Sequence, residues 1–239
     1  MSDATLVLCM AGLYRRFREA GYTTPKYLLP VRGEPILAWI VRELAPRRLV
    51  LVANRRDQGH EQAIRSALAL GGVPGADLHF VGDTSGQAET AAIGARRALA
   101  LGFDGPMAFH NVDTVLLGRD LAAIGAVLGL AQGYIDVFDN DSPAYSYVAV
   151  DGDRVTRIVE KQVISRHATT GLYGFRSPAY YLARQAATAH RSRGEFYVSD
   201  VYKAMLEDGE QIQVGRGAGG AVVLGTPAEY EAYVAESGR

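Results

Sequence analysis

The sequence predicts an α/β protein: a Rossmann-like, mostly parallel sheet flanked by helices, with a β-rich lobe built into the same sheet. Short runs that are apolar throughout carry the first part of that prediction, because a strand covered on both faces needs no polar side. These runs alternate with segments of helical period, the order that parallel crossovers require. Beyond about Tyr134 a hairpin signal replaces the alternation and marks the lobe.

"LVLCM" (Leu6 to Met10) is the first buried strand and stops at Ala11-Gly12. "PILAWIVREL" (Pro35 to Leu44) has helical spacing with proline near its start. "RLVLVAN" (Arg48 to Asn54) reads as a strand and "EQAIRSALAL" (Glu61 to Leu70) as a helix. "LHFV" (Leu78 to Val81), "ETAAIGARRALALG" (Glu89 to Gly102) and "MAFHNVD" (Met107 to Asp113) repeat the pattern. "YSYVAVDGDRVTRIVEK" (Tyr145 to Lys161) reads as two strands turning at Asp151-Gly152-Asp153, and "ATTGLYGFRS" (Ala168 to Ser177) as another strand. Helical patterns return in "PAYYLARQAATAH", "YVSDVYKAML" and "PAEYEAYVAE", while "GRGAGGA" (Gly215 to Ala221) reads as a flexible turn. No internal repeat or linker divides the chain.

Composition narrows the function. The chain has 239 residues, 48% of them hydrophobic and 21% charged, enough to bury a sizeable core. A net charge of −1 gives no basic excess for nucleic acid, although a locally positive cleft fits within it. Cys9 is the single cysteine, so an intramolecular disulfide and a cysteine-based metal cluster are excluded. The N-terminus lacks a basic stretch followed by a long apolar one, and no run approaches the ~18 apolar residues of a membrane span. The expectation is a cytoplasmic protein without a membrane partner.

The strand ends are where a parallel sheet collects its ligand. Three segments lie there: Ala11 to Lys26, Asp83 to Glu89, and Asn111 to Thr114. The first offers Gly12, Arg15, Arg16 and Lys26. Glycine lets the backbone approach an anion, and arginine or lysine offsets the charge of a polyphosphate. Neither G-x-x-x-x-G-K-[ST] nor G-x-G-x-x-G is present, and spacing alone leaves a solvated basic loop as the alternative.

The stretch from Ala11 to Phe17, with Pro25-Lys26 and "LLPVRGEPI" (Leu28 to Ile36), resembles the signature of the sugar-phosphate nucleotidyltransferases. "GQAETAAIGA" (Gly86 to Ala95) resembles that family's base-contacting loop, and "NVDTVL" (Asn111 to Leu116) its metal-binding strand end. "VEKQVISRHATTGLYGF", "GEFYVSDVY" and "LGTPAEYEAY" resemble its later elements, in order, over nearly the whole chain. The variants present look closest to a branch associated with capsule and surface polysaccharides, which includes cytidylyltransferases. The resemblance implies one nucleotidyltransferase domain over 1–239, with a nucleotide-binding half to about 133 and an acceptor-binding half from about 134.

The implied reaction joins an NTP to a small phosphorylated acceptor, such as a sugar phosphate, with Mg²⁺ as cofactor and pyrophosphate as the second product. By resemblance Arg16 contacts the leaving pyrophosphate and Lys26 the α-phosphoryl group. Ala11, Gly12, Leu13 and Arg15 of the first loop, and Gly86, Glu89 and Thr90 of the second, would bind the nucleotide. Asp113 would hold Mg²⁺; the alternative is an N-cap for a helix beginning near Leu117. Glu89 stands where many members carry a base-facing glutamine. A carboxylate only accepts hydrogen bonds and suits the amino group of cytosine, which tilts the base toward CTP; a first-turn helix glutamate is the alternative. Glu160, Lys161, Gly171 and Tyr173 would line the acceptor pocket. On a regular strand Glu160 and Lys161 point to opposite faces, and Tyr173 has a core position as its alternative.

Two stretches depart from the family pattern. Tyr14 and Arg15 replace small residues, so a positive φ at position 14 would strain a tyrosine, and Arg15 is the alternative to Arg16. Val223 stands where many relatives place a second metal-binding aspartate, which argues against a second Mg²⁺ there. His110 shows no ligand spacing and reads as structural. The competing functions are a GT-A-type glycosyltransferase, which predicts a D-x-D motif absent from "NVDT", and a silent nucleotide-binding module, which predicts loss of the Arg16, Lys26 and Asp113 set. The acceptor and the oligomeric state, a homo-oligomer included, are left open.

Overall fold

The computed structural model describes residues 3–189, 196–217 and 219–237. The chain opens with β1 (Thr5–Met10) and the short helix α1 (Arg15–Glu19). A 3-10 turn (Lys26–Leu28) leads to a ribbon of β2 (Pro30–Val31) and β3 (Glu34–Pro35). Then come α2 (Ile36–Leu44), β4 (Leu49–Asn54), a 3-10 turn (Arg55–His60) and α3 (Glu61–Leu70). β5 (Asp77–Val81), α4 (Gln87–Ala100), β6 (Met107–Asn111), β7 (Thr114–Leu116) and α5 (Leu121–Leu128) follow. The rest comprises β8 (Gly133–Asp139), the hairpin of β9 (Tyr147–Asp151) and β10 (Arg154–Val159), and β11 (His167–Phe175). After these come α6 (Pro178–Ala189), α7 (Val198–Glu207), β12 (Ile212–Arg216), β13 (Ala221–Val223) and α8 (Pro227–Ser237).

A nine-stranded sheet runs in the order β5-β4-β1-β6-β11-β8-β12-β10-β9. Its first four strands are parallel, as the alternating pattern requires. β11 enters antiparallel between β6 and β8, β12 lies parallel to β8, and the β9–β10 hairpin closes that edge. The β-rich half therefore extends the same sheet in mixed sense. β7 pairs with β13 in a separate ribbon.

The apolar runs are explained by burial on both faces. Along β1, Leu6, Leu8 and Met10 join one core cluster, with α2 and α3, whereas Val7 joins the other. β4 repeats this, with Leu49, Leu51 and Ala53 on one side and Val50 and Val52 on the other. Full burial of a Val or Leu side chain contributes roughly 1.5–3 kcal/mol, so every residue of such a strand adds stability. On the second face α4 presents Ala88, Ala91, Ala95 and Ala98, small residues that let the helix lie close to the sheet.

Two expectations shift. The segment after Asp113 is a strand, and the next helix begins at Leu121 with Asp120 as its cap, accepting from the Ala122 amide at 2.8 Å. "GRGAGGA" is shared between the end of β12 and the start of β13; its Ala218 lies outside the described residues. Among the described residues, no helix is long and apolar enough to cross a membrane.

Candidate active site

The carboxyl ends of β1, β5 and β6 open onto a cleft of about 880 Å³, walled on its far side by the ends of β10 and β11. All the site residues expected from the sequence line it except Glu89.

The loop after β1 supplies one wall. The Ala11 carbonyl accepts from Asn54 Nδ2 at 3.2 Å, which fixes the backbone as it leaves the strand. Tyr14 caps α1 with φ 34° and ψ 46°, the left-handed conformation that strains a residue carrying a Cβ, at a cost of about 1–2 kcal/mol. The loop thus keeps the positive φ although no glycine is present to adopt it freely. Arg15 and Arg16 are both exposed on the cleft, and no carboxylate among the described residues pairs with either. The two share the same wall, so the choice between them stays with their chemistry.

Lys26 and Asp113, from separate motifs, meet across the cleft. Lys26 Nζ donates to Asp113 Oδ2 at 2.6 Å, with side chains 17% and 26% exposed. Burial pushes the Asp113 carboxyl up, but the charge and hydrogen bond of Lys26 outweigh it and hold the group below the usual carboxylate range. Asp113 thus stays ionised at neutral pH. A Cβ added to Gly225 would lie 3.5 Å from Glu229 Oε2 and 3.6 Å from Asp113 Oδ2, so α8 brings a second carboxylate beside the first. Glu229 also caps its own helix, accepting from the Thr226 amide at 2.8 Å and the Thr226 hydroxyl at 2.9 Å. His110 is fully buried, and its Nε2 lies 2.8 Å from the Thr114 carbonyl, a structural bond.

The loop after β5 corrects one expectation. Glu89 does not face the cleft: its carboxylate folds back to accept from the Ser85 amide and hydroxyl, each at 2.6 Å. Those two bonds, opposed by burial, lower its pKa. The first-turn reading of Glu89 is the one the geometry realises, in keeping with a negative charge at a helix N-terminus. Gly86, Gln87 and Thr90 do line the cleft. Gln87 Nε2 donates to Asn111 Oδ1 at 2.6 Å. Asn111 in turn packs on Gly171. There a φ of 83°, and the mere 2.5 Å that would separate an added Cβ from Asn111 Nδ2, admit glycine alone.

At the acceptor end, β10 stops at Val159, so Glu160 and Lys161 escape strand alternation. Lys161 turns at φ 52°, and both residues line the cleft. Glu160 Oε2 accepts from the hydroxyls of Ser146 and Ser199, the latter at 2.9 Å. Lys161 Nζ donates to the Tyr197 hydroxyl at 3.3 Å. Tyr173 is 4% exposed and packs in the core, yet its hydroxyl reaches Thr169 Oγ1 at 2.9 Å on the cleft wall. In "GEFYVSDVY", Gly194 and Glu195 lie outside the described residues.

Sequence reasoning placed Asp83, Gln87 and Asn111 in strand-end segments without giving them a role and missed Ser146 and Glu229; all five are on the cleft. Only Glu229 left a clear signal, the T-x-x-E spacing of a capping box after Gly225. Asp83 Oδ1 accepts from Asn54 Nδ2 at 3.0 Å, and Oδ2 pairs with Arg56.

No protein-family model matches the chain. It is 27% identical over 221 residues to the bifunctional protein GlmU of Pelotomaculum thermopropionicum, covering 87% of this chain and 46% of that protein. It is 26% identical over 220 residues to a low-salt glycan biosynthesis nucleotidyltransferase of Haloferax volcanii, covering 86% of this chain and 58% of that one. The chain thus spans about half the length of the curated relatives it matches. Among solved structures, a nucleoside-diphosphate-sugar pyrophosphorylase from Vibrio cholerae superposes with a TM-score of 0.85 at 26% identity, over 97% of this chain and 100% of that one.

Proposed function

We propose that this chain, which belongs to the sugar-phosphate nucleotidyltransferase family, transfers a nucleoside monophosphate from an NTP to a small phosphorylated acceptor such as a sugar phosphate. The observation that carries the reading is the convergence of Arg15, Arg16, Lys26 and Asp113 on one cleft. An acceptor phosphate oxygen attacks the α-phosphorus, the bond to the bridging oxygen breaks, and pyrophosphate leaves with that electron pair. The reactants are anions, so the residues work by positioning and by offsetting charge. The arginines, which pair with no carboxylate among the described residues, are available to the leaving pyrophosphate. Lys26, aimed by Asp113, meets the charge that builds on the α-phosphoryl oxygens. Lys161, held by Tyr197, orients the acceptor phosphate, and Glu160, braced by two serines, its hydroxyls.

The donor set fits Mg²⁺, which takes one or two carboxylates and fills the rest of its shell with phosphate oxygens and water. Asp113 would hold it, and the nearby Glu229 offers a carboxylate that Val223 does not. When bound, the ion supplies charge neutralisation on the phosphates. For the base, Glu89 no longer supports CTP, but Asp83 lines the cleft, and beyond its bonds from Asn54 and Arg56 a carboxylate has lone pairs left that only accept hydrogen bonds. It favours a base that presents an amino group, which among the pyrimidines is cytosine, so CTP is tested first against UTP and dTTP. A pyrophosphate-release screen with Mg²⁺ pairs each NTP with phosphorylated sugars and polyols. Release with CTP above UTP and dTTP is expected. A preference for UTP or dTTP would remove Asp83 from base selection, and no release with any pair would overturn the proposed reaction.

A further inference from the structure

The two basic segments of the cleft share an anchor that lies behind it. Asp57, in the 3-10 turn after β4, is 1% exposed and does not line the cleft. Its Oδ1 accepts from the Tyr14 hydroxyl at 2.6 Å, and its Oδ2 accepts from the Tyr27 hydroxyl at 2.8 Å. Tyr14 immediately precedes Arg15 and Arg16, and Tyr27 immediately follows Lys26 in its 3-10 turn. One carboxylate therefore holds both the pair of arginines and the lysine, each through an adjacent tyrosine.

We infer that Asp57 is a positioning residue that sets the spacing between the arginine loop and Lys26, and so the phosphate geometry the cleft accepts. Two features of the chain support this. No lysine or arginine of the described residues forms an ion pair with Asp57, although a carboxylate buried without a cation is costly. Its two oxygens are instead divided between two tyrosines 13 positions apart, an arrangement that fixes two segments relative to each other. Tyr14 also holds a left-handed backbone that glycine would adopt without strain, and glycine would bring no hydroxyl. The strained residue is the one that makes the contact.

The inference rests on the nucleotidyl-transfer reading for its effect on substrate, but its mechanical part is tested without substrate. Amide hydrogen exchange is followed on the unliganded protein for the wild type, Asp57→Ala, Tyr14→Phe and Tyr27→Phe. The reporters are the Phe17 and Arg18 amides, bonded to the Tyr14 carbonyl, and the Leu28 and Leu29 amides, bonded to Pro25 and Lys26. Asp57→Ala is expected to speed all four by roughly tenfold, with β1 and β6 unchanged. Tyr14→Phe should speed only the first pair and Tyr27→Phe only the second. Exchange within about twofold of wild type in every variant, or acceleration spread over the whole sheet, overturns the anchor. Should Asp57→Ala fail to fold, the two phenylalanine variants decide alone on the same criteria. Kinetics then add the functional readout: Tyr14→Phe raises KM for NTP about fivefold with kcat little changed, and Tyr27→Phe lowers kcat with KM little changed. Equal loss in both parameters for both variants contradicts separate positioning of the two segments. A wild type without turnover rejects the proposed reaction instead, and the exchange result still judges the anchor.

Discussion

In the proposed reaction Lys26 would bear a heavier chemical demand than its neighbours in the cleft. It is partly buried, sits 2.6 Å from Asp113, and is the cation that the α-phosphoryl group would meet as its charge builds. Lys26→Ala should therefore lower turnover at least about 100-fold while changing the affinity for NTP much less, measured by steady-state kinetics beside equilibrium nucleotide binding. Turnover near wild type would remove Lys26 from the mechanism. At this scale the family resemblance was informative, since it singled out Lys26, Asp113 and the arginines, which share one cleft, where spacing alone left a solvated loop and a helix cap open. It misplaced Glu89, read by resemblance as base-facing, because a carboxylate in the first turn of α4 can reach back to the free amide and hydroxyl of Ser85 just before the helix. Gln87 and Asn111 were illegible for a different reason: their contact joins the first residue of α4 to the last residue of β6, 24 positions apart, and neither element signals the other.

The elements that hold these residues depend on close approach and on ties between neighbours. α4 crosses β1 at Gly94, where an added Cβ would stand 2.3 Å from Val7 Cγ1 and 3.2 Å from Val52 Cγ2. Gly94→Ala should destabilise the protein by about 1–3 kcal/mol, read as a lower urea midpoint; an unchanged midpoint would show that the helix can shift away at little cost. α4 is also tied to β5 by Arg97, whose Nε and NH2 donate to the two Asp77 oxygens at 2.8 and 2.7 Å. That bidentate bond holds the Asp77 carboxyl below its ordinary 3.8, against the opposing effect of burial. The sign follows: the pair's stabilisation is complete above the ordinary value and is lost as pH falls through the lowered folded one. Arg97→Met should flatten the acid limb of stability below about pH 4 and leave its slope near neutrality unchanged, as urea titrations at several pH values would show. An identical acid limb in both proteins would contradict the tie. α2 was legible because its burial repeats on one face, and β4 because burial on both faces makes it apolar throughout. The ribbons of β2 with β3 and β7 with β13 were not, since two or three residues carry no period and their pairing is set by tertiary contact.

Across the whole molecule, one sheet carries both halves of the cleft: its parallel strands present the basic loop and Asp113, and its mixed strands present Glu160 and Lys161. A buried ion pair, Arg119 with Asp136 at 2.9 Å, links the segment after β7 to β8, and Arg119 also donates to the Gly220 carbonyl before β13. A net charge of −1 says nothing of this arrangement, in which the cleft sets four cations, Arg15, Arg16, Lys26 and Lys161, among four carboxylates, Asp83, Asp113, Glu160 and Glu229. Composition reports the sum, and only topology reports the placement. If this placement lets two anions exchange a nucleotidyl group, the fate of the phosphorus atoms shows it, followed with NTP carrying ³²P at the α-position, and separately at the γ-position, in the presence of Mg²⁺ and a phosphorylated acceptor. The α-label is expected in the acceptor product while the γ-label leaves entirely in pyrophosphate. Transfer of γ-label to the acceptor, or α-label retained only in free nucleotide, would contradict that exchange.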